Sequence, residues 1–423
     1  MSEASRTSAF NRVTHLAAQR STHAAFAWLH SHQKAILDWQ MVLCGIPAPP
    51  FGEQARSAWL AERFGEAGLE GVEIDAVGNV LGYLPAKHLS PESTGPIVVL
   101  SAHIDTVFPA GTPLRMTLRT VDGQERLEAP GACDNAAGVV GMLAIAHALV
   151  HCGMQLSVPL LLVANVGEEG EGDLRGVRHL YRQAAISGRI AAHIVLDGAG
   201  ADCAVTQALG SRRYQVTVTG PGGHSFTDAG TVNPIAALAT ALSTLAATPL
   251  PEEPRTTLNL GTVSGGTSVN SIPESVTATV DFRSTSTDEL LRLEGVLHCA
   301  FEDAVDHWNA QAKAAGTQAR GALGFSINPI GNRPAAHLPE GSPVVEALRA
   351  VDRHLNLQSN ARLGSTDANL PISLGVPSLS LGAGGEGGGA HTLGEWFAPK
   401  NREIGLRRAL LLTLAMVDWA ADQ

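Results

Sequence analysis

Apolar residues in this chain come in short runs, and in several of them the position just past the run is a histidine or an acid. "PIVVLSAHID" (Pro96 to Asp105) carries His103, "VPLLLVANVGEE" (Val158 to Glu169) ends on Glu168 and Glu169, and "AHIVLDGAG" (Ala192 to Gly200) carries Asp197. A fourth run, "VPSLSL" (Val376 to Leu381), leads through a glycine-rich segment to His391. Runs of roughly four to eight apolar residues bounded by turn-formers read as buried strands. Between them lie longer apolar stretches; the one around Val139 to Val150, opened by Asp134 and broken by Gly141 and His147, reads as a buried helix. Strands alternating with helices predict an α/β fold: a mixed, mostly parallel sheet flanked by helices. In such a sheet the carboxyl ends of the strands share one rim where ligands bind, so these distant residues are expected to meet.

The pattern changes in the middle of the chain. From about Tyr214 to Asn328 it runs strand ("YQVTVTG"), helix (Pro234 to Ala247), strand ("TTLNLGTVSGG"), strand ("SVTATVDFRS"), helix (Leu290 to Ala312), strand ("GFSINPI"). That βαββαβ order is ferredoxin-like. The α/β pattern resumes with a helix near Val344 to His354. The middle therefore reads as an inserted α+β domain over 213–332, its two ends close together, within a discontinuous domain of 1–212 and 333–423.

His103, Asp134, Glu169, Asp197 and His391 form a donor set of two imidazoles and three carboxylates, which suits zinc, cobalt or manganese. An open catalytic zinc site takes about three protein ligands, so five serve two ions if one carboxylate is shared. Asp134, at the glycine-flanked turn of "PGACDNAAGVVGML" (Pro130 to Leu143), is the best candidate to be shared. Two ions roughly 3.5–4 Å apart activate a water between them and polarise a carbonyl. Taken singly, each residue has a plainer role: Asp134 as a helix N-cap, His103 as a hydrogen-bonded strand end, Glu168 and Glu169 as a solvated loop. Their joint occurrence favours the metal reading. Asp105, two residues after His103, suits an acid that fixes an imidazole tautomer, whereas Cys133 reads as a packed thiol.

With these motifs in hand, the chain resembles the M20 family of metallopeptidases and amidohydrolases. The resemblance rests on "SAHIDTVFP", "GACDNAAGV", "NVGEEGEGDLRG", "VLDG" and "GGGAHTLGEW", which follow the family's order across nearly the whole chain. It implies a zinc-exopeptidase-like fold whose inserted domain acts as lid and dimerisation domain. It also implies two divalent ions per chain, one on His103, Asp134 and Asp197 and one on Asp134, Glu169 and His391. Glu168 matches the family's general base, Asp105 the acid that orients His103, and a cis peptide is implied between Asp134 and Asn135. His224, in "GPGGHSF", matches a histidine that reaches a partner subunit's active site and stabilises the oxyanion, which implies a homodimer. Asn270 and Arg283 match substrate-contacting positions; a strand-end salt bridge explains Arg283 equally well.

An aspartate at the place of Asp197 is commoner in the family's peptidase T-like members. The resemblance thus implies an exopeptidase for small peptides, of di- or tripeptidase type. The alternative is an N-acyl or N-carbamoyl amino-acid amidohydrolase, with Arg283 as carboxylate clamp. A metal-free binding or scaffold protein is the reading of a different class; it has no use for all five ligands together with Glu168 and Asp105. "LGSTDANLPISLGVP" (Leu363 to Pro377) matches a substrate-end turn, but N-capping by Ser365, Thr366 or Asp367 is the preferred reading. "GIPAPPFGEQARSAWLAERF" (Gly45 to Phe64) resembles the family's early cleft loop and first helix, or is a plain loop-to-helix start.

Composition narrows the field further. A net charge of -11 and a pI near 5.8 over 423 residues argue against a nucleic-acid partner. No apolar stretch approaches the roughly 18 residues of a membrane helix. The first residues lack the apolar core of a signal peptide, so the expected location is the cytoplasm. Five scattered cysteines argue against a disulfide framework. The glycines of "GAGGEGGGAH" (Gly382 to His391) lack the Gly-Lys-Ser/Thr of a phosphate loop, and no Gly-x-Ser-x-Gly elbow or His-Glu-x-x-His helix occurs.

Overall fold

A computed structural model describes residues 3–86, 94–314 and 321–423. The chain divides into two compact units, one running to Ala208 and resuming at His337, the other spanning Leu209–Ala336.

The first unit is built on a mixed sheet. Four neighbouring strands, Leu160–Asn165, Ile97–His103, Ile190–Leu196 and Ser378–Leu381, run parallel in that spatial order. Val80–Leu84 and Glu70–Ile74 extend it antiparallel on one side, and Cys203–Ala208 is antiparallel to Ser378–Leu381 on the other. All but one residue of the four central strands are buried. That is why they read as largely apolar runs without alternation: a parallel strand covered on both faces has no solvent side to mark. Successive side chains of a strand point to opposite faces. Val98, Leu100 and Ala102 pack with Val140 and Leu143 of the helix Ala136–His151 and with Leu410 and Leu414 of Arg402–Ala420. Ile97 and Val99 pack the other way, with Leu180 and Ile186.

The helix Ala136–His151 is buried almost all round, as expected of a core helix. Its cap is Asn135, whose Oδ1 accepts from Gly138 N at 3.1 Å. The capping role considered for Asp134 belongs to its neighbour, and Asp134 is left for other work. The same Asn135 side chain accepts from Gly198 N (3.0 Å) and donates to Leu196 O (2.9 Å). It thereby ties the start of the helix to the end of the strand Ile190–Leu196.

The second unit is a four-stranded antiparallel sheet ordered Thr256–Gly265, Ser275–Ser284, Gly210–Thr219, Gly324–Arg333. Along the chain this is the βαββαβ order, with helices Pro234–Ala246 and Thr287–Ala314. Ser275–Ser284 alternates buried with more open positions, so the helices cover one face. The first strand begins at Gly210, ahead of the predicted Tyr214, because Ser211 and Arg212 still pair with both neighbouring strands. Arg333 is the register partner of Ser211, which brings the two ends of the unit side by side. Among the described residues no helix is long and apolar enough to cross a membrane.

One polar chain interrupts the apolar interior. The Ser101 hydroxyl lies 2.8 Å from His193 Nε2 and the Tyr181 hydroxyl 3.1 Å from its Nδ1. His193 is fully buried, and burial pushes its pKa down to about 3. Unfolded, the ring takes a proton near 6.5; folded, it does not until about 3. The unfolded state binds more protons in that window. The contribution is therefore fully present above 6.5 and lost as pH falls toward 3, with a limiting slope of about 1.4 kcal/mol per pH unit.

Urea unfolding between pH 7.5 and 5 tests this with His193→Gln, which should be less stable at pH 7.5 and show a shallower loss on acidification; identical slopes would remove His193 as the cause. Asn135→Ala removes three hydrogen bonds, two of them fully buried, and should lower the unfolding free energy by about 2–4 kcal/mol. A loss below about 0.5 kcal/mol in the same assay would mean that the freed backbone groups find other partners.

Candidate metal centre

The parallel register delivers the first residues of the site. His103 ends its strand with Asn165 as register partner, Leu196 is opposite Leu381, and Asp197 N donates to Leu381 O at 3.0 Å. Chain leaving the strand Leu160–Asn165 reaches Glu168 and Glu169, and Asn135 holds the Asp134 turn against the same rim. His391 arrives by a different route. It follows a short strand, Glu386–Gly388, paired with Trp396–Ala398, and has a positive φ of 66°. The glycines before it serve close packing as well as turning: a Cβ on Gly387 would collide with Cys133 Sγ, and one on Gly384 with the Arg402 backbone.

All five expected ligands come together. His103 Nε2 lies 3.1 Å from Asp134 Oδ1 and 3.7 Å from Asp197 Oδ1. His391 Nε2 lies 3.1 Å from Asp134 Oδ2 and 2.9 Å from Glu169 Oε1. Ligand atoms of His103, Asp134 and Asp197, of Asp134, Glu169 and His391, and of His103, Glu168 and Glu169 each fall within 4.8 Å of one another. The two oxygens of Asp134 thus face different imidazoles. Its Oδ1 is buried, with the His103 ring beside it but no well-formed hydrogen bond to it. Such an enclosed acceptor is costly, and a cation between Asp134 and His103 would satisfy it, so the residues fit a pair of ions.

Charge in the site is correspondingly crowded. Burial works against ionising Asp134, but the imidazoles of His103 and His391 outweigh it and hold its pKa well below the usual range. Burial, then the Asp134 charge, pushes Glu169 up to about 7. The bond with Asp134 raises His391 to about 9. In His103 burial opposes the proton, and Asp105, Asp134 and Asp197 together override it. A divalent ion supplies the same positive charge without protons.

Asp105 has a second task that its spacing did not reveal. Its carboxylate accepts Glu168 N at 2.9 Å and Glu169 N at 2.8 Å, and its Oδ1 lies 3.5 Å from His103 Nδ1. One buried acid therefore fixes the turn that carries both glutamates while facing the imidazole. Cys133 stays outside every ligand group, and burial pushes its thiol up to about 12, as fits a packed side chain.

The turn after Leu363 departs from expectation. The cap of the helix Asn369–Ser373 is Ala368, without a side-chain cap, whereas Thr366 Oγ1 accepts from Ala368 N at 3.2 Å. Asp367 is fully buried and accepts from Asn165 Nδ2 at 2.6 Å, with its other oxygen unpartnered. N-capping is thus the wrong reading for Asp367. The segment Gly45 to Phe64 also does more than start a helix: Arg56, within Gln54–Glu66, is buried and donates to Ile46 O and Ile104 O.

In the second unit His224 pairs with Ser271, and Ser225 N donates to Asn270 O at 3.0 Å, so His224 and Asn270 are neighbours. His224 Nδ1 accepts from Phe226 N and Thr227 N, which leaves Nε2 to carry the proton of the neutral ring. Arg283 lies elsewhere. It donates to Asp281 at 2.8 Å, and Asp281 also takes Arg213. His224 and Asn270 belong to the chain beside the Ser275 end of the strand Ser275–Ser284, and Arg283 lies eight residues along that strand from Ser275, roughly 27 Å at about 3.4 Å per residue. This unit does not bring Arg283 to them.

A family model described as peptidase family M20/M25/M40 matches residues 99–414. The fold is similar to aminopeptidase PepT from Bacillus cereus, with a TM-score of 0.68 and 20% identity over 91% of this chain and 99% of that one. It is also similar to the Bacillus subtilis YXEP protein, a dinuclear metal-binding peptidase of family M20, with a TM-score of 0.64 and 14% identity over 92% and 99%. An amidase of the hydantoinase/carbamoylase family from Burkholderia vietnamiensis gives 0.64 and 19% identity over 91% and 97%. A search of curated protein sequences found no significant match. The family model spans well over half of the chain, the site has the donors of a dinuclear centre, and the chain belongs to peptidase family M20/M25/M40, the hydrolases that comprise metal-dependent peptidases and amidohydrolases.

Proposed function

We propose that this enzyme hydrolyses the peptide bond of a di- or tripeptide at a centre of two divalent ions. The observation that carries the reading is the division of the Asp134 carboxylate, with Oδ1 toward His103 and Oδ2 toward His391. His103, Asp134 and Asp197 would hold one ion and Asp134, Glu169 and His391 the other. The donor set favours zinc, with cobalt or manganese as alternatives. When bound, the ions polarise the scissile carbonyl and acidify the attacking water.

Glu168 is the general base: it takes the proton of the attacking water and hands it to the departing amine. Its support is its place in the group with His103 and Glu169, together with the Asp105 bond that fixes its backbone. Neighbouring glutamates divide the labour, Glu169 as ligand and Glu168 as proton carrier. His224 of a second copy donates Nε2–H to the oxyanion. That role requires a homodimer, for which the unit Leu209–Ala336 is the proposed interface and lid, and Asn270 beside His224 is the proposed substrate contact. The separation of Arg283 from His224 and Asn270 along the strand Ser275–Ser284 favours a peptide over an N-acyl or N-carbamoyl amino acid held by that arginine.

Metal content by mass spectrometry, with hydrolysis of dipeptides, tripeptides and N-acetyl and N-carbamoyl amino acids, tests the proposal. Two ions per chain and peptide hydrolysis are expected, with Glu168→Ala lowering kcat by about 10²–10⁴ at unchanged metal content. Preference for the acylated amino acids would move the chain to the amidohydrolases, and activity indifferent to Glu168 would remove the mechanism. His224→Ala should lower kcat by roughly 10²–10³. Mixing it with Glu168→Ala should restore activity, because a mixed dimer holds one site with both residues intact; no recovery after verified subunit exchange would place His224 in its own chain's site.

A further inference from the structure

Glu395 lies four residues after His391, in the same segment, and is fully buried. Its carboxylate accepts three backbone amides of the Asp134 turn: Gly131 N on Oε2 at 2.9 Å, and Cys133 N and Asp134 N on Oε1, both at 2.7 Å. Its own carbonyl accepts Ala129 N at 3.0 Å. The turn is held from other sides as well, by Gln40 Nε2 donating to Ala132 O at 2.6 Å and by the Asn135 side chain. Convergent amides of a turn make a concave anion site, and here a side chain of the same protein fills it.

We infer that Glu395 is the positioning residue of the Asp134 turn, setting the direction in which Asp134 offers one oxygen to each half of the centre. The inference rests on the reading of Asp134 as the shared ligand. Rotation of the turn would carry both oxygens away from the imidazoles together, so the amides that fix it govern both halves at once. Since Glu395 and His391 share one segment, a displacement of that segment disturbs a ligand and the support of the bridging ligand together. The arrangement parallels Asp105, which accepts the amides of Glu168 and Glu169. The buried guanidinium of Arg56 lies within electrostatic reach of both acids.

A carboxylate suits this place better than an amide. Glutamine keeps one acceptor for Cys133 N and Asp134 N but turns an NH₂ toward Gly131 N–H; alanine removes all three bonds. The test uses the full-length protein stripped of metal by a chelator and titrated with Zn²⁺ alone against a competing chromophoric chelator, for wild type, Glu395→Gln and Glu395→Ala. Amide hydrogen exchange of Pro130–Asn135 and the melting temperature of each metal-free protein are measured alongside. The expected result is two sites in wild type, affinity weakened about 10–100-fold in the variants, more in alanine than in glutamine, and faster exchange at Gly131, Cys133 and Asp134. Unchanged affinity in the folded variants, with only a lower melting temperature, would reduce Glu395 to a structural residue and overturn the inference. If Glu395→Ala does not fold, Glu395→Gln decides by the same readings. A wild type that binds no Zn²⁺ would instead overturn the metal reading on which this one rests.

Discussion

The structure depends on parallel register. Four adjacent strands, Leu160–Asn165, Ile97–His103, Ile190–Leu196 and Ser378–Leu381, run the same way and stop at the same level. Because helices cover both faces, each strand is mostly apolar along its length, its few interior polar groups such as Ser101 and His193 bond to one another, and charged side chains begin only where the sheet ends. A one-residue slip in such a strand would turn its side chains to the opposite face. The core packing of Val98, Leu100 and Ala102 against the helix Ala136–His151 thus also fixes where His103 stands.

Crowding several carboxylates beside two imidazoles is unfavourable until positive charge enters, and the fold uses backbone dipoles to hold the acids in place meanwhile. Asp105 and Glu395 are spent on amide groups, Asn135 on a helix start and a strand end. None of these three needs to touch a metal or substrate to matter, since ligands are useful only when their approach is fixed before binding.

Much of this was legible in the chain. The strands were readable because a doubly buried strand is a short apolar run, and His103, Glu168, Glu169 and Asp197 because they stand where such runs end. His391 was harder to read, since a short paired strand and a positive φ separate it from the run before it. What the sequence hid was support. Glu395 falls within GGGAHTLGEW with no role of its own to read there, and only the folded turn reveals that its oxygens meet three amides. Asp367 has the spacing of a cap yet lies buried against Asn165, because a tertiary partner overrode the local option. His193 sits in the same run as Asp197 and differs only in being interior to the strand, where an imidazole stays neutral between two hydroxyls. Arg283 and His224 share one unit but lie at opposite ends of a strand, a separation that residue type does not convey.

The pairing of Ser211 with Arg333 bears on how the chain reaches this structure. The strand Cys203–Ala208 is bonded to Asn360–Gly364 and Ser378–Leu381, partners that lie beyond an excursion of about 130 residues. Closing the roughly 150-residue loop from Ala208 to Asn360 costs about 1.5 kcal/mol more in chain entropy than closing the roughly 25 residues that remain once the ends of the insert are adjacent. Once the inserted unit has folded, its adjacent ends turn the long excursion into a short connection. Formation of the insert therefore lowers the entropic barrier to completing the main sheet, and the Ser378–Leu381 side of the rim that carries Asp197 gains most from an insert that folds early.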